Sequence, residues 1–172
     1  MINPFRKVYS DKELQLFDYL KELVLFNNMT DKELSAFIPH LYERTYVKDE
    51  VVFFRNDPSH ALYLLRKGKV SLNLDINDNM EELLELSGVS SFGENCILPG
   101  TKRPMNAVVT SDEAWLYVIP KENIMLIMEG NPQIKTKLVE TYALISEKQL
   151  KKLFKHYRIS FGMFNIKDIY NV

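Results

Sequence analysis

The sequence predicts a mainly β domain, an antiparallel barrel with helices at its edges, and three observations carry that prediction. Residues 46–76 are rich in β-branched and aromatic side chains, broken by turn-forming clusters at Lys48-Asp49, Arg55-Asn56-Asp57-Pro58 and Lys67-Gly68. Within that stretch Val70-Ser71-Leu72-Asn73-Leu74-Asp75-Ile76 alternates strictly, the pattern of a strand with one buried and one wet face. Apolar residues before residue 40 and after residue 120 recur at helical spacing instead. Helices, then many short strands, then helices is the order of a barrel with helical flanks.

Taken in order, Ser10-Asp11-Lys12-Glu13 is a capping box, followed by Leu14, Leu16, Phe17 and Leu20 at helical spacing. A second box, Thr30-Asp31-Lys32-Glu33, opens a helix carrying Leu34, Phe37 and Ile38, with Asn27-Asn28 between the two. After the alternating strand, Asn77-Asp78-Asn79 is a turn and residues 80–86 return as its partner, although adjacent Glu81 and Glu82 suit a helix equally. A Gly/Pro-rich stretch covers residues 88–104. Two further strands follow at 106–110 and 114–119, joined by Ser111-Asp112-Glu113. A short helix over 121–128 ends at Gly130-Asn131-Pro132. A longer one then carries Ile134, Leu138, Tyr142, Ile145 and Leu150 as a stripe, extended by Leu153 and Phe154.

Composition bounds the function classes. A chain of 172 residues with 46% hydrophobic and 12% aromatic content fits one domain with a real core, and disorder is not its default. Net charge is −1, from 22 basic and 23 acidic residues, so nothing global draws the chain to polyanions. Cys96 is the single cysteine, which leaves neither a disulfide framework nor a cysteine-rich zinc site. No run of 18 apolar residues occurs, and the first twenty residues lack a small-residue cleavage site after an apolar core. The expectation is therefore a soluble, cytoplasmic chain without a transmembrane segment. His40, His60 and His156 are scattered without metal-ligand spacing, and neither a phosphate loop of the hydrolase kind nor Gly-x-Ser-x-Gly is present. No nucleophile, base or metal set assembles, so the expectation is no enzyme, no catalytic residue, no metal and no cofactor.

Three segments resemble the cyclic-nucleotide-binding domain family, as found in catabolite-activator-like bacterial regulators and kinase regulatory subunits. Residues 46–53 resemble its opening strand, and 57–70 its next strand and turn. Phe92-Gly93-Glu94, followed nine residues later by Arg103, resembles its phosphate-binding cassette. The likeness runs over residues 25–142, about two thirds of the chain, and implies a double-stranded β-helix or jelly-roll barrel. It also implies that Glu94 accepts a ribose 2′-hydroxyl and that Arg103 pairs with a cyclic phosphate. The chemistry stands without the analogy. A buried phosphate needs an ion partner and oriented N–H donors, which a guanidinium fork and helix N-terminal amides supply. Gly93 lets the backbone approach a ligand closely.

The ligand set expected from the resemblance is Gly93, Glu94, Asn95, Cys96, Arg103, Pro104 and Met105, with cAMP or cGMP as the ligand. Asp49 and Asn56 stand where the family carries glycine, and both residue types tolerate a left-handed backbone. The cassette departs further. Pro104 replaces a small residue whose N–H meets the phosphate, a charge-assisted donor worth roughly 1.5–3 kcal/mol. Met105 and Asn106 are larger than the usual occupants, Asn95 stands where an apolar residue is common, and Cys96 replaces a small alanine. Two functions follow. One is a stand-alone regulatory sensor binding a cyclic nucleotide or similar small anion; the alternative is a degenerate, non-binding barrel serving as a dimerising protein-interaction module. As local alternatives, Arg103 is a solvated loop charge, Glu94 caps a turn, and Cys96 is a small core residue.

The expected organisation is one domain over residues 1–158, with N-terminal helices at 10–40, the barrel at 42–120 and C-terminal helices at 121–156. An apolar tail, 159–172, packs on the domain or across a dimer. The helical stripe packs on its own barrel, pairs with its twin in a homodimer, or both. Lys148, Lys151, Lys152, Lys155, His156 and Arg158 form a basic amphipathic end, either a solvated helix terminus or a contact for an acidic partner. Too few residues follow for a winged helix-turn-helix, so DNA is not an expected partner, and the sequence names no protein partner.

Overall fold

The computed structural model describes residues 8–76 and 79–161. Both capping boxes form. Ser10 Oγ accepts from the Glu13 N–H at 3.3 Å while the Glu13 carboxylate accepts from the Ser10 N–H at 2.8 Å, opening helix α1, Asp11–Glu22. Thr30 and Glu33 repeat the arrangement at 3.3 and 2.7 Å to open helix α2, Asp31–Leu34. That second helix is shorter than its apolar spacing suggests. Phe37 falls in the following turn, and Ile38–His40 is a separate 3-10 turn with proline at its second position.

Eight strands follow: β1 Tyr42–Val47, β2 Val51–Phe53, β3 Ala61–Lys67, β4 Lys69–Ile76, β5 Asn79–Ser87, β6 Ser90–Phe92, β7 Asn106–Val109 and β8 Glu113–Pro120. They form two antiparallel four-stranded sheets, in the orders β1-β8-β3-β6 and β2-β7-β4-β5. Helices α3, Lys121–Gly130, and α4, Pro132–Phe161, close the described chain. The fold is mainly β with flanking helices, as expected.

The opening strand read from residues 46–53 is two strands. β1 pairs with β8 in one sheet and β2 with β7 in the other, so the chain changes sheets between Val47 and Val51. Asp49 makes that corner at φ 67°, and Asn56 at φ 68° makes the next, both in the left-handed region that the glycine replacements required.

β3 and β8 are buried on both faces. Leu65, Ala114 and Leu116 face the barrel core with Val70, Leu72, Phe92, Ala107 and Val109. Leu62, Leu64, Tyr117 and Ile119 face a second core built with Phe17, Leu20, Phe26, Leu34 and Phe37 of the N-terminal segment and Ile134 and Leu138 of α4. Two-sided burial explains why these strands read as apolar runs rather than as alternation.

β4 corrects the expectation of a wet face. Ser71 is 2% exposed and Asn73 7%, because Glu82 of the neighbouring strand reaches over them and accepts from Ser71 Oγ at 2.7 Å. The alternation is apolar against polar, and of the polar set Ser71 and Asn73 are covered while Asp75 stays exposed.

α4 divides its stripe. Ile134, Leu138, Tyr142 and Ile145 pack on the chain's own core, whereas Leu150 and Leu153 are exposed. Lys137 ties α4 to α2 through Glu33 at 2.7 Å. The helix runs to Phe161, so it takes the first three residues of the expected tail, and the rest of that tail lies outside the described residues.

Candidate functional site

The Gly/Pro-rich stretch folds into the one cavity of interest. Gly93 turns the chain at φ 77° out of β6 into a 3-10 turn, Glu94–Ile97. The loop returning to β7 is pinned to the β2–β3 connection by backbone bonds: Arg103 N–H to Asp57 O at 2.8 Å and Asn56 N–H to Arg103 O at 2.9 Å. The left-handed Asn56 thus holds the segment that carries the arginine.

Arg103 is 2% exposed, so the solvated-loop alternative does not describe it; its neighbour Lys102 is exposed. Its Nη1 donates to Gly93 O at 2.9 Å and Asn95 Oδ1 at 3.2 Å, and its Nη2 to Ala61 O at 2.6 Å. The guanidinium carbon lies 4.2 Å from the Phe53 ring centre and 5.5 Å from that of Tyr63. Among the described residues no carboxylate lies within salt-bridge distance of it, and its Nε–H is buried without a hydrogen-bond partner. Burial therefore pulls its pKa below the ordinary value for a guanidinium, although arginine keeps its proton. Burial likewise raises the Tyr63 hydroxyl, with Arg103 opposing.

The cavity encloses about 150 Å³ and is lined by Gly93, Glu94, Asn95, Arg103, Pro104 and Met105 of the expected ligand set. Glu94 is half-buried and accepts from Ser91 Oγ at 2.7 Å. Pro104 is exposed at the rim, and Met105 is half-buried against the barrel core. Cys96 is a correction. It is fully buried in the helical core on the far side of the 3-10 turn and does not line the cavity. Its thiol is pushed up to about 12 by burial, which makes it inert.

Asn106 does not crowd the cavity either. Its Oδ1 accepts from the Arg55 N–H at 2.7 Å and its Nδ2 donates to Asp75, itself 3.4 Å from Arg55 Nε. Asn106→Ala leaves the Arg55 N–H without its acceptor and takes from Asp75 one partner while its ion pair with Arg55 remains. It is expected to cost about 1–3 kcal/mol, read as a lowered melting temperature with anion binding retained.

The sequence reading missed the wall opposite the cassette. Tyr142, Ile145 and Gln149 of α4 line the cavity, together with Leu72, Leu84 and Leu86 of the β4–β5 hairpin. The spacing of 142, 145 and 149 on one helical face was legible, but which strand ends that face meets was not. Among the described residues no group of three or more His, Cys, Asp or Glu side chains could hold a metal ion, and no helix is long and apolar enough to cross a membrane.

Comparisons with known proteins bear on the family and the fold. The family model for the cyclic nucleotide-binding domain matches residues 43–131. The cyclic AMP receptor protein of Thermus thermophilus is 28% identical over 109 residues, covering 63% of this chain and 50% of that protein. A cAMP-dependent protein kinase regulatory subunit of Colletotrichum orbiculare is 30% identical over 95 residues, 55% of this chain and 24% of that protein. The chain thus spans half the length of the first relative and about a quarter of the second. Among solved structures, the regulatory domain of Toxoplasma gondii PKA with cAMP superposes with a TM-score of 0.63 at 19% identity, over 70% of this chain and 46% of that one.

Proposed function

The chain belongs to the cyclic nucleotide-binding domain family, and from that premise we propose that its Arg103–Glu94 cavity binds cAMP or cGMP, or a similar small anion, as a regulatory sensor. One observation carries this reading. Arg103 buries a full positive charge with, among the described residues, no carboxylate within salt-bridge distance and no partner for its Nε–H. An isolated buried charge costs several kcal/mol, which an anionic ligand offsets. A phosphate against that guanidinium and a ribose hydroxyl against Glu94 are the matching chemistry.

The cavity, at about 150 Å³, is smaller than the roughly 300–1,000 Å³ usual for small-molecule sites. A whole nucleotide enters by displacing part of the wall, and α4 is the part that leads away from the barrel. Ligand entry then biases the position of α4, and that bias is the signal.

The reader of the signal is proposed to be a second copy of the chain. Val139, Ala143, Ser146, Leu150 and Leu153 recur at spacings of four and three along α4, and Val139, Leu150 and Leu153 are exposed. That is a heptad seam beside the face packed on the barrel. Changing both Leu150 and Leu153 to glutamate is expected to give a monomer of 20.2 kDa by sedimentation, where the unaltered chain sediments as a dimer. An unaltered chain that is itself monomeric refutes the seam.

The binding test is calorimetric titration with cAMP and cGMP. Binding at micromolar concentration or tighter is the expected result. Neither heat nor a thermal shift at millimolar nucleotide means that Pro104 and Met105 have closed the site. The small cavity favours that second reading, a barrel kept as a dimerising interaction module.

A further inference from the structure

Asn95 stands where three segments meet. Its Nδ2 donates to Ser59 Oγ at 2.9 Å and to Lys102 O at 2.8 Å, and its own backbone carbonyl accepts from Thr101 Oγ1 at 2.8 Å. Ser59 is 2% exposed and lies on the β2–β3 connection; Lys102 and Thr101 belong to the loop that delivers Arg103. Both amide hydrogens have acceptors, so the amide has one orientation. Its oxygen faces Arg103 Nη1 at 3.2 Å. The flipped amide would set its NH₂ against a guanidinium and its oxygen against the Lys102 carbonyl.

We propose that Asn95 is a positioning residue for the anion site, holding the Nη1 side of the Arg103 guanidinium so that its Nε–Nη2 edge is the one presented to ligand. The inference rests on the ligand reading of the cavity given above. Nη1 has two hydrogens, and Gly93 O and Asn95 Oδ1 accept both. Nη2 donates to Ala61 O and the guanidinium also hydrogen-bonds the Tyr63 side chain, which leaves the Nε–H as the donor without a partner. The Nε–H and the adjacent Nη2 form one planar edge, the side-on fork that grips two oxygens of a phosphate. Phe53 at 4.2 Å supports the plane but cannot stop it turning about its own normal. Gly93 O and Ala61 O resist that turn from the backbone, and Asn95 Oδ1 adds the side-chain stop on the Nη1 side. The edge matters more here because Pro104 has no N–H to offer the anion, so recognition falls on the guanidinium.

The test uses the full chain with ¹⁵N-labelled arginine, the variants Asn95→Leu and Asn95→Asp, and cAMP as probe. In the free protein, Arg103 is expected to show separate, slowly exchanging Nη1 proton signals. Asn95→Leu is expected to merge them, and Asn95→Asp to keep them, since a carboxylate oxygen still faces Nη1. Affinity for cAMP is expected to fall about tenfold in Asn95→Leu, the loss of one aligning hydrogen bond. It falls further in Asn95→Asp, where the new carboxylate competes with the phosphate. Unchanged Arg103 signals in Asn95→Leu overturn the proposal. So does undiminished affinity, or a loss of affinity in Asn95→Leu that exceeds the loss in Asn95→Asp. If the unaltered chain binds no cAMP, the sensor reading fails, and the Nη1 signals still decide whether Asn95 holds the guanidinium.

Discussion

Replacing Arg103 by alanine is expected to weaken cyclic-nucleotide binding about a hundred- to ten-thousand-fold, the loss of two charge-assisted hydrogen bonds at roughly 1.5–3 kcal/mol each. The effect on folding is expected to be smaller, because two terms oppose. Gly93 O, Ala61 O and Asn95 Oδ1 each lose a donor. Against that, the variant no longer buries a charge without a counter-ion, which itself costs several kcal/mol. Circular dichroism should therefore show a folded protein that fails to bind. Arg103→Lys separates charge from geometry: an ammonium keeps the charge and cannot offer a planar edge, so its affinity should fall between the two. If Arg103→Ala binds as tightly as the unaltered chain, the guanidinium does not hold the anion.

The second large effect is expected at Gly93. Its φ of 77° is a left-handed conformation that costs a side chain about 1–2 kcal/mol. A Cβ there also collides with Arg103 Nη1 and lies 3.2 Å from the guanidinium carbon. Gly93→Ala must therefore push the arginine out of its seat, breaking its bonds to Gly93 O and Asn95 Oδ1. The combined cost is expected to be about 2–4 kcal/mol, or roughly 5–15 °C in melting temperature, with binding lost as completely as in Arg103→Ala. A Gly93→Ala protein that melts normally and binds nucleotide would show that the guanidinium seat is not the site.

What the sequence made legible was what short-range rules decide. Ser10–Glu13 and Thr30–Glu33 are local signals, and both capping boxes form as the spacing requires. Asp49 and Asn56 take the left-handed turns their side chains allow. Gly93, Glu94 and Arg103 do line one cavity, because the separation of nine residues is enough for a short turn and a returning loop. What was not legible depends on partners far along the chain. Lys48-Asp49 marks a turn within residues 46–53, but nothing local says that β1 will pair with β8 and β2 with β7. Ser71 and Asn73 read as wet because Glu82, which covers Ser71, acts across a strand pairing. Cys96 joins the ligand set by its neighbours in sequence and the core by its size; the tight 3-10 turn puts it in the core, as the second reading has it. The role of Asn95 was hidden for the same reason: its partners Ser59 and Lys102 meet only once the loops are folded.

The central claim is that the buried guanidinium is built to receive a phosphate, and the most direct measurement is the Arg103 Nε–H resonance followed during titration with cAMP and cGMP. The Nε–H has no partner among the described residues, so a phosphate oxygen is expected to move its proton signal downfield and slow its exchange with water. Saturation should occur at the calorimetric affinity. A resonance that stays in place at millimolar nucleotide, in protein that remains folded, would contradict the account and leave the cavity as part of a scaffold.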